Sequence, residues 1–315
     1  MNSSPFDFEA AAKLPLEVRF GTSSWTYPGW QGLVYFRNYR DEKDLTANSL
    51  GEYGTFPWFR TVGIDSTFYT PPRVETLKRY SEQLPQGFPW VSKVWEEITI
   101  PTYAKHKRYG EKAGTTNPNF LNAPFFIERV LEPYRVSGTL SQTGPFIFEF
   151  QAFPKSKLNE LPAFLEKLDI FLGQLPKEYR YSIEIRNREL LSPDYFSILN
   201  RHSVTHCFNH WSYMPPLAEQ MRAAANAGGL EAPFFVARIL TPLGVAYEKA
   251  VELHQPYDRI KTVLTEMRAD VVRLAHRALQ RQVPAFILVN NRAEGNAPQT
   301  IDAIGRQIVR RQTGQ

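Results

Sequence analysis

Cysteine is almost absent from this chain: Cys207 stands alone among 315 residues. That excludes an intrachain disulfide and any cysteine-built metal cluster, and it suits a reducing compartment. Long apolar runs are missing too. Nothing approaches the roughly 20 consecutive apolar residues of a membrane span. Met1–Leu16 has no basic stretch leading into an unbroken apolar one, as a secretion signal would require. The expectation is a cytoplasmic protein with no membrane contact. An excess of one charge sign is also lacking. Thirty-seven basic residues face 32 acidic ones, and a net charge of +5 permits attraction to phosphates without demanding it. There is no glycine-rich phosphate loop, no dinucleotide fingerprint, no nucleophile elbow and no pair of closely spaced metal-binding cysteines. The chemistries with strong local signatures are therefore excluded, and function has to be sought in how residues are grouped.

Eight short apolar runs, each ending in polar or charged residues, organise the chain. They are Val18–Gly21, Thr61–Ile64, Trp90–Lys93, Phe146–Phe150, Tyr181–Ile185, Val204–Phe208, Phe234–Ile239 and Phe286–Val289. Stretches with helical spacing separate most of them. Strand and helix alternating eight times predicts a single (β/α)8 TIM-type barrel over residues 18–311, preceded by an extension at 1–17. Leu161, Phe164, Leu165, Leu168 and Phe171 share one helical face, as do Val74, Leu77, Tyr80 and Leu84. The same spacing predicts helices over Arg259–Gln280, with its arginines in water, and over Pro298–Arg311. Two connections are long: Thr99–Gly144, which carries the basic run Lys105–Lys112, and His210–Pro233.

Barrel enzymes act at the carboxyl ends of their strands. There this chain places Trp25, Asp65, Thr67, Tyr69, Lys93, Glu149, Gln151, Glu184, Arg186, His210, Arg238, Asn290, Asn291 and Arg292, with Tyr27 just beyond. Residues two apart on a strand share a face, so Glu149 aligns with Gln151 and Glu184 with Arg186. Pointing inward, Glu184 and Glu149 would supply acid/base carboxylates, while Lys93, Arg186 and Arg238 hold charge. The competing expectation is a buried ion-pair network that only fixes the core. Asn290–Arg292 before a helix start suits either an anion site or a helix cap. His206 and His210, an even number of positions apart, raise a divalent metal with Asp65, Glu149 and Glu184; the default is that these histidines are structural and no cofactor is held. The rim aromatics Trp25, Tyr27, Trp30, Tyr35, Tyr69, Trp95, Trp211 and Tyr213 suit sugar rings or bases, or simple packing of the barrel top.

Taken together the motifs resemble a known family. Gly21-Thr-Ser-Ser-Trp-Thr-Tyr-Pro-Gly-Trp30, Asp65-Ser-Thr-Phe-Tyr69, Lys93 with Ile98–Thr99, Glu184-Ile-Arg186 and Asn290–Asn291 with Gly295 and Ala297 follow the order of the YecE-like family, a domain of unknown function. The resemblance implies the barrel and leaves the chemistry open. The chain departs from the pattern at Gly63, where members often carry Glu, at Glu149–Pro154, and after Arg238, where the usual His-Gly is missing.

Three functions are compatible with the sequence. One is an enzyme acting on a small polar, sugar-like or phosphorylated ligand. Another is a metal-dependent phosphodiesterase-like barrel that binds nucleic acid through Lys105–Lys112. The third is a non-catalytic ligand-binding or scaffold protein. Oligomeric state is not legible.

Overall fold

The computed structural model describes residues 4–313. Eight strands form the core: β1 (Val18–Thr22), β2 (Val62–Ile64), β3 (Trp90–Lys93), β4 (Thr143–Glu149), β5 (Tyr181–Glu184), β6 (Thr205–His210), β7 (Phe235–Ile239) and β8 (Ala285–Val289). All paired neighbours are parallel, and the order runs round from β2 through β8 to β1. The predicted (β/α)8 barrel is the observed fold, with strand bounds displaced by at most three residues.

The ring closes between β1 and β2 by an irregular seam. The Arg60 and Thr61 amides both donate to the Phe20 carbonyl, at 2.8 and 3.2 Å. Beyond that point the Tyr53 hydroxyl inserts between the strands, accepting from the Thr22 amide at 2.9 Å and donating to the Thr61 carbonyl at 3.0 Å. Glycine permits so close an approach. A Cβ on Gly21 would collide with the Thr61 carbonyl, and one on Gly63 would lie 2.8 Å from the Ser23 carbonyl oxygen.

Strand side chains alternate between two environments. Phe20, Phe148, Ile183, Phe208, Ile239 and Val289 belong to the large core shared with the helices. Val91, Ile147, Cys207, Val236, Phe286 and Leu288 fill the barrel interior as a smaller, separate cluster. Such a lumen is only wide enough to be packed by side chains, so residues one pleat further along must meet across it.

The helix expected over Arg259–Gln280 begins only at Thr265. Buried Glu294 captures the preceding segment: its carbonyl accepts from the Lys261 and Thr262 amides, and its carboxylate accepts from the Leu264 amide at 2.6 Å. The same carboxylate binds Arg268 at 2.7 Å, so that arginine turns inward rather than to water. The other predicted helices appear at Val74–Gln83, Leu161–Gly173 and Ala297–Thr313. In the amino-terminal stretch, the helix Phe8–Lys13 packs on Ala297–Thr313, and the Asp7 amide donates to Asp302 at 2.8 Å. Among the described residues no helix is long and apolar enough to cross a membrane.

Candidate functional site

Pairing register brings the first components together. Glu149 and Glu184 are direct cross-strand partners at the ends of β4 and β5. Like charges there would repel, and cations separate them. Arg238, buried on β7, reaches across the lumen: its Nη1 lies 2.6 Å from Glu184 Oε2 and 2.7 Å from Glu149 Oε2, and its Nη2 lies 3.3 Å from Asp65. Lys93 Nζ approaches Glu149 at 2.9 Å and sits 3.7 Å above the Phe68 ring. Arg186 touches both glutamates, Glu184 at 2.6 Å and Glu149 at 3.1 Å. The Glu184 side chain is fully buried, that of Glu149 is 14% exposed and that of Asp65 is 31% exposed. The lattice thus grades from dry to wet.

Electrostatics follow from that geometry. Burial pushes the Glu149 carboxyl up, but Lys93, Arg186 and Arg238 overcome it and hold Glu149 well below the usual carboxylate range. Burial works against the charged Arg238 guanidinium as well, and Glu184, Asp65 and Glu149 outweigh it and raise its pKa. Beneath the lattice, burial and the neighbouring Glu184 push the Cys207 thiol well up, so it stays protonated.

Above these residues lies an open cavity of about 410 Å³, lined by Asp65, Tyr69, Lys93, Glu149, Gln151, Ala152, Arg186, Trp211, Arg238, Leu240, Thr241, Tyr247 and Arg292. Two arginines enter it differently from Arg238. Arg186 lies 4.5 Å from the Trp211 ring centroid, and its buried Nη1 has no hydrogen-bond partner. Arg292 lies 4.6 Å from the Tyr247 ring centroid, forms no ion pair among the described residues, and leaves its buried Nε without a partner. Four cations (Lys93, Arg186, Arg238, Arg292) against three carboxylates (Asp65, Glu149, Glu184) leave one positive charge unmatched.

The sequence model that matches residues 19–314 is described as a protein of unknown function, DUF72. This chain belongs to the DUF72 family. The family is the YecE-like group that the motifs resembled. A DUF72 protein from Enterococcus faecalis V583 has a similar structure, with TM-score 0.56 and 15% identity, covering 95% of this chain and 98% of that one. One from Thermotoga maritima MSB8 gives TM-score 0.54 and 17% identity, covering 95% and 99%. At these identities the likeness concerns the fold alone. No curated protein matches the chain.

Gly63 has a physical meaning of its own: β1 runs so close to β2 that a side chain there has no space unless backbone moves. The strand-end carboxylates cluster at the ends of β4 and β5 and just after β2.

Not every expected site residue reaches the cavity. Trp25 is buried edge-on against Tyr80, and Tyr27 packs on Trp30 and Tyr257, its hydroxyl pushed up to about 12 by burial. Thr67 joins two strand ends, its hydroxyl 2.6 Å from the Lys93 carbonyl and 2.9 Å from that of Ile64. Asn290 caps the short helix Asn291–Glu294 by accepting from the Arg292 amide at 3.0 Å. Asn291 accepts from Trp30 at 3.2 Å and the Ala297 amide at 2.8 Å. His206 and His210 do share a face of β6, but it is the outer one. His206 bridges Tyr195 and Gln220 at 3.0 and 3.1 Å, burial lowering its pKa to about 4, and His210 lies 2.8 Å from the Thr241 carbonyl. Among the described residues no group of three or more His, Cys, Asp or Glu could hold a metal.

Sequence reasoning left Ala152, Leu240, Thr241, Trp211 and Tyr247 out of the site. Trp211 was visible as a rim aromatic. Tyr247 had only its place after β7 to mark it, since helical spacing does not distinguish a cavity-lining aromatic from a surface one. In the basic loop, Arg108 and Lys112 are engaged by Glu96 and Glu97 at 2.6 and 3.3 Å, so part of its charge is matched internally.

Proposed function

We propose that the strand-end cavity receives a small anionic ligand, a phosphate ester or carboxylate with polar, sugar-like surroundings. The observation that carries this reading is the pair Arg186 and Arg292. Both guanidiniums are backed by an aromatic ring, and both keep a buried N–H group without a partner. Both line the cavity, and Arg292 has no carboxylate partner among the described residues, so a bound anion would supply the charge-assisted hydrogen bonds that it lacks. Glu149 and Glu184 act as fixed counter-ions that hold Arg238, Arg186 and Lys93 in place, so recognition needs little reorganisation. A catalytic extension has one observation in its favour. Asp65 is the most exposed of the three carboxylates and is held only at 3.3–3.4 Å, so it is the group able to take a proton from a bound ligand. Glu149, held ionised by its three cations, is unsuited to donate one.

Titration with inorganic phosphate and a panel of small carboxylates and sugar phosphates, followed by calorimetry, tests the proposal. Binding should weaken with added salt, and Arg292→Ala should weaken it at least about tenfold, the loss of one charge-assisted contact. Absence of binding by every anion tried, or binding indifferent to Arg292→Ala, would reject it.

A further inference from the structure

A second hollow, about 650 Å³ and more apolar than the first, adjoins the charged cavity. It lies between the connection that follows β3 and the one that follows β4. Its floor is built from Phe120, Phe150, Phe153 and Phe164, whose ring centroids stand 5.0 to 6.5 Å apart around Phe164 and Phe150. Gln151 and Ala152 line both hollows, so one wall is common to the phenylalanine groove and the arginine-lined cavity.

We propose that the two hollows form one elongated site for an amphipathic anion. Its phosphate or carboxylate lies between Arg186 and Arg292, and its hydrocarbon or aryl body passes over Ala152 onto the phenylalanine floor. This rests on the anion reading of the cavity. Three features select this occupant. The groove has the volume of a small-molecule site. Its charged end is supplied by the adjoining cavity. Its rim carries Lys157 and Lys167, with Glu160 paired to Lys157 at 3.4 Å, so polar side chains border an apolar trough rather than filling it. Apolar surface opening beside unmatched positive charge fits a molecule carrying both characters.

The test is a calorimetric series of inorganic phosphate, butyl, hexyl and octyl phosphate on the whole chain. Complete burial of a methylene corresponds to about fourfold in affinity, so a half-covered chain should gain about twofold per methylene. Ala163 is exposed beside the groove on the helix Leu161–Gly173, so Ala163→Trp fills the trough without entering the core. It should flatten the series while leaving inorganic phosphate binding unchanged. Thr102→Trp, exposed on the connection that follows β3 and outside the charged cavity, should do the same and guards against misfolding of the first variant. A flat series with phosphate still bound overturns the elongated site and leaves the anion reading standing. No binding of phosphate or of any alkyl phosphate overturns both. A chain-length gradient that survives Ala163→Trp, or that survives Arg292→Ala, also overturns the proposal, because the tail or the head then lies elsewhere.

Discussion

Val91, Ile147 and Val236 close the barrel interior with hydrocarbon, and two residues further along the same strands Lys93, Glu149 and Arg238 line its mouth with charge. Both layers are nearly dry, both point inward, and a single pleat separates them. The lower layer needs only volume, because dispersion and the hydrophobic effect have no direction. The upper one needs register as well: Glu149 beside Glu184 is unfavourable until an arginine from β7 arrives between them. The difference shows how one architecture supplies both a plug and a site, with the change of residue type at the strand end deciding where packing stops and chemistry begins.

That comparison can be broken in several ways. Arg238→Leu should have the largest effect, about 3–5 kcal/mol lost in denaturant unfolding, because Glu184 is left buried with one cation fewer. A loss under 1 kcal/mol would mean that the lattice is wetter or looser than its geometry implies. Ile147→Ala should cost about 2–5 kcal/mol by opening a cavity in the lower layer, yet leave anion affinity unaltered. If affinity falls with it, the layers are mechanically coupled. Acid should separate them more gently. Glu149 has an ordinary value of 4.5 and sits well below it when folded. Under that pH the unfolded chain binds a proton that the native chain refuses. Its contribution is complete above the ordinary value and is lost as pH falls toward the folded one. Glu149→Gln should therefore flatten that part of the stability profile relative to the parent, whereas Ile147→Ala should shift the profile without changing its slope. The smallest effect is expected of Arg292→Ala, within about 0.5 kcal/mol in stability, since no ion pair is broken. Its cost appears in ligand affinity.

Much of this was legible beforehand. The alternation of apolar runs and helical faces specifies the barrel, and period two specifies that Lys93, Glu149, Glu184 and Arg238 lie on strand-end faces. Which face turns inward was not legible at β6, where His206 and His210 are correctly aligned with each other and lie on the outer face of the strand, away from the site. An apolar strand with both faces buried carries no sign of direction. Asn290 and Asn291 show a different limit. Residue type marked a turn before a helix, and only the bonds to Arg292, Trp30 and Ala297 distinguish a cap from an anion cradle.

The order of apolar runs along this chain determined a closed ring of eight strands with charge at one rim, because burial and pleat periodicity are local properties of the polypeptide. Partnership was left to the folded state. Arg238 meets Asp65 from 173 residues away, and Arg186 and Arg292 end up beside aromatic rings with donors to spare. Charges do not choose partners until the lumen brings them within a few ångströms and removes the water between them.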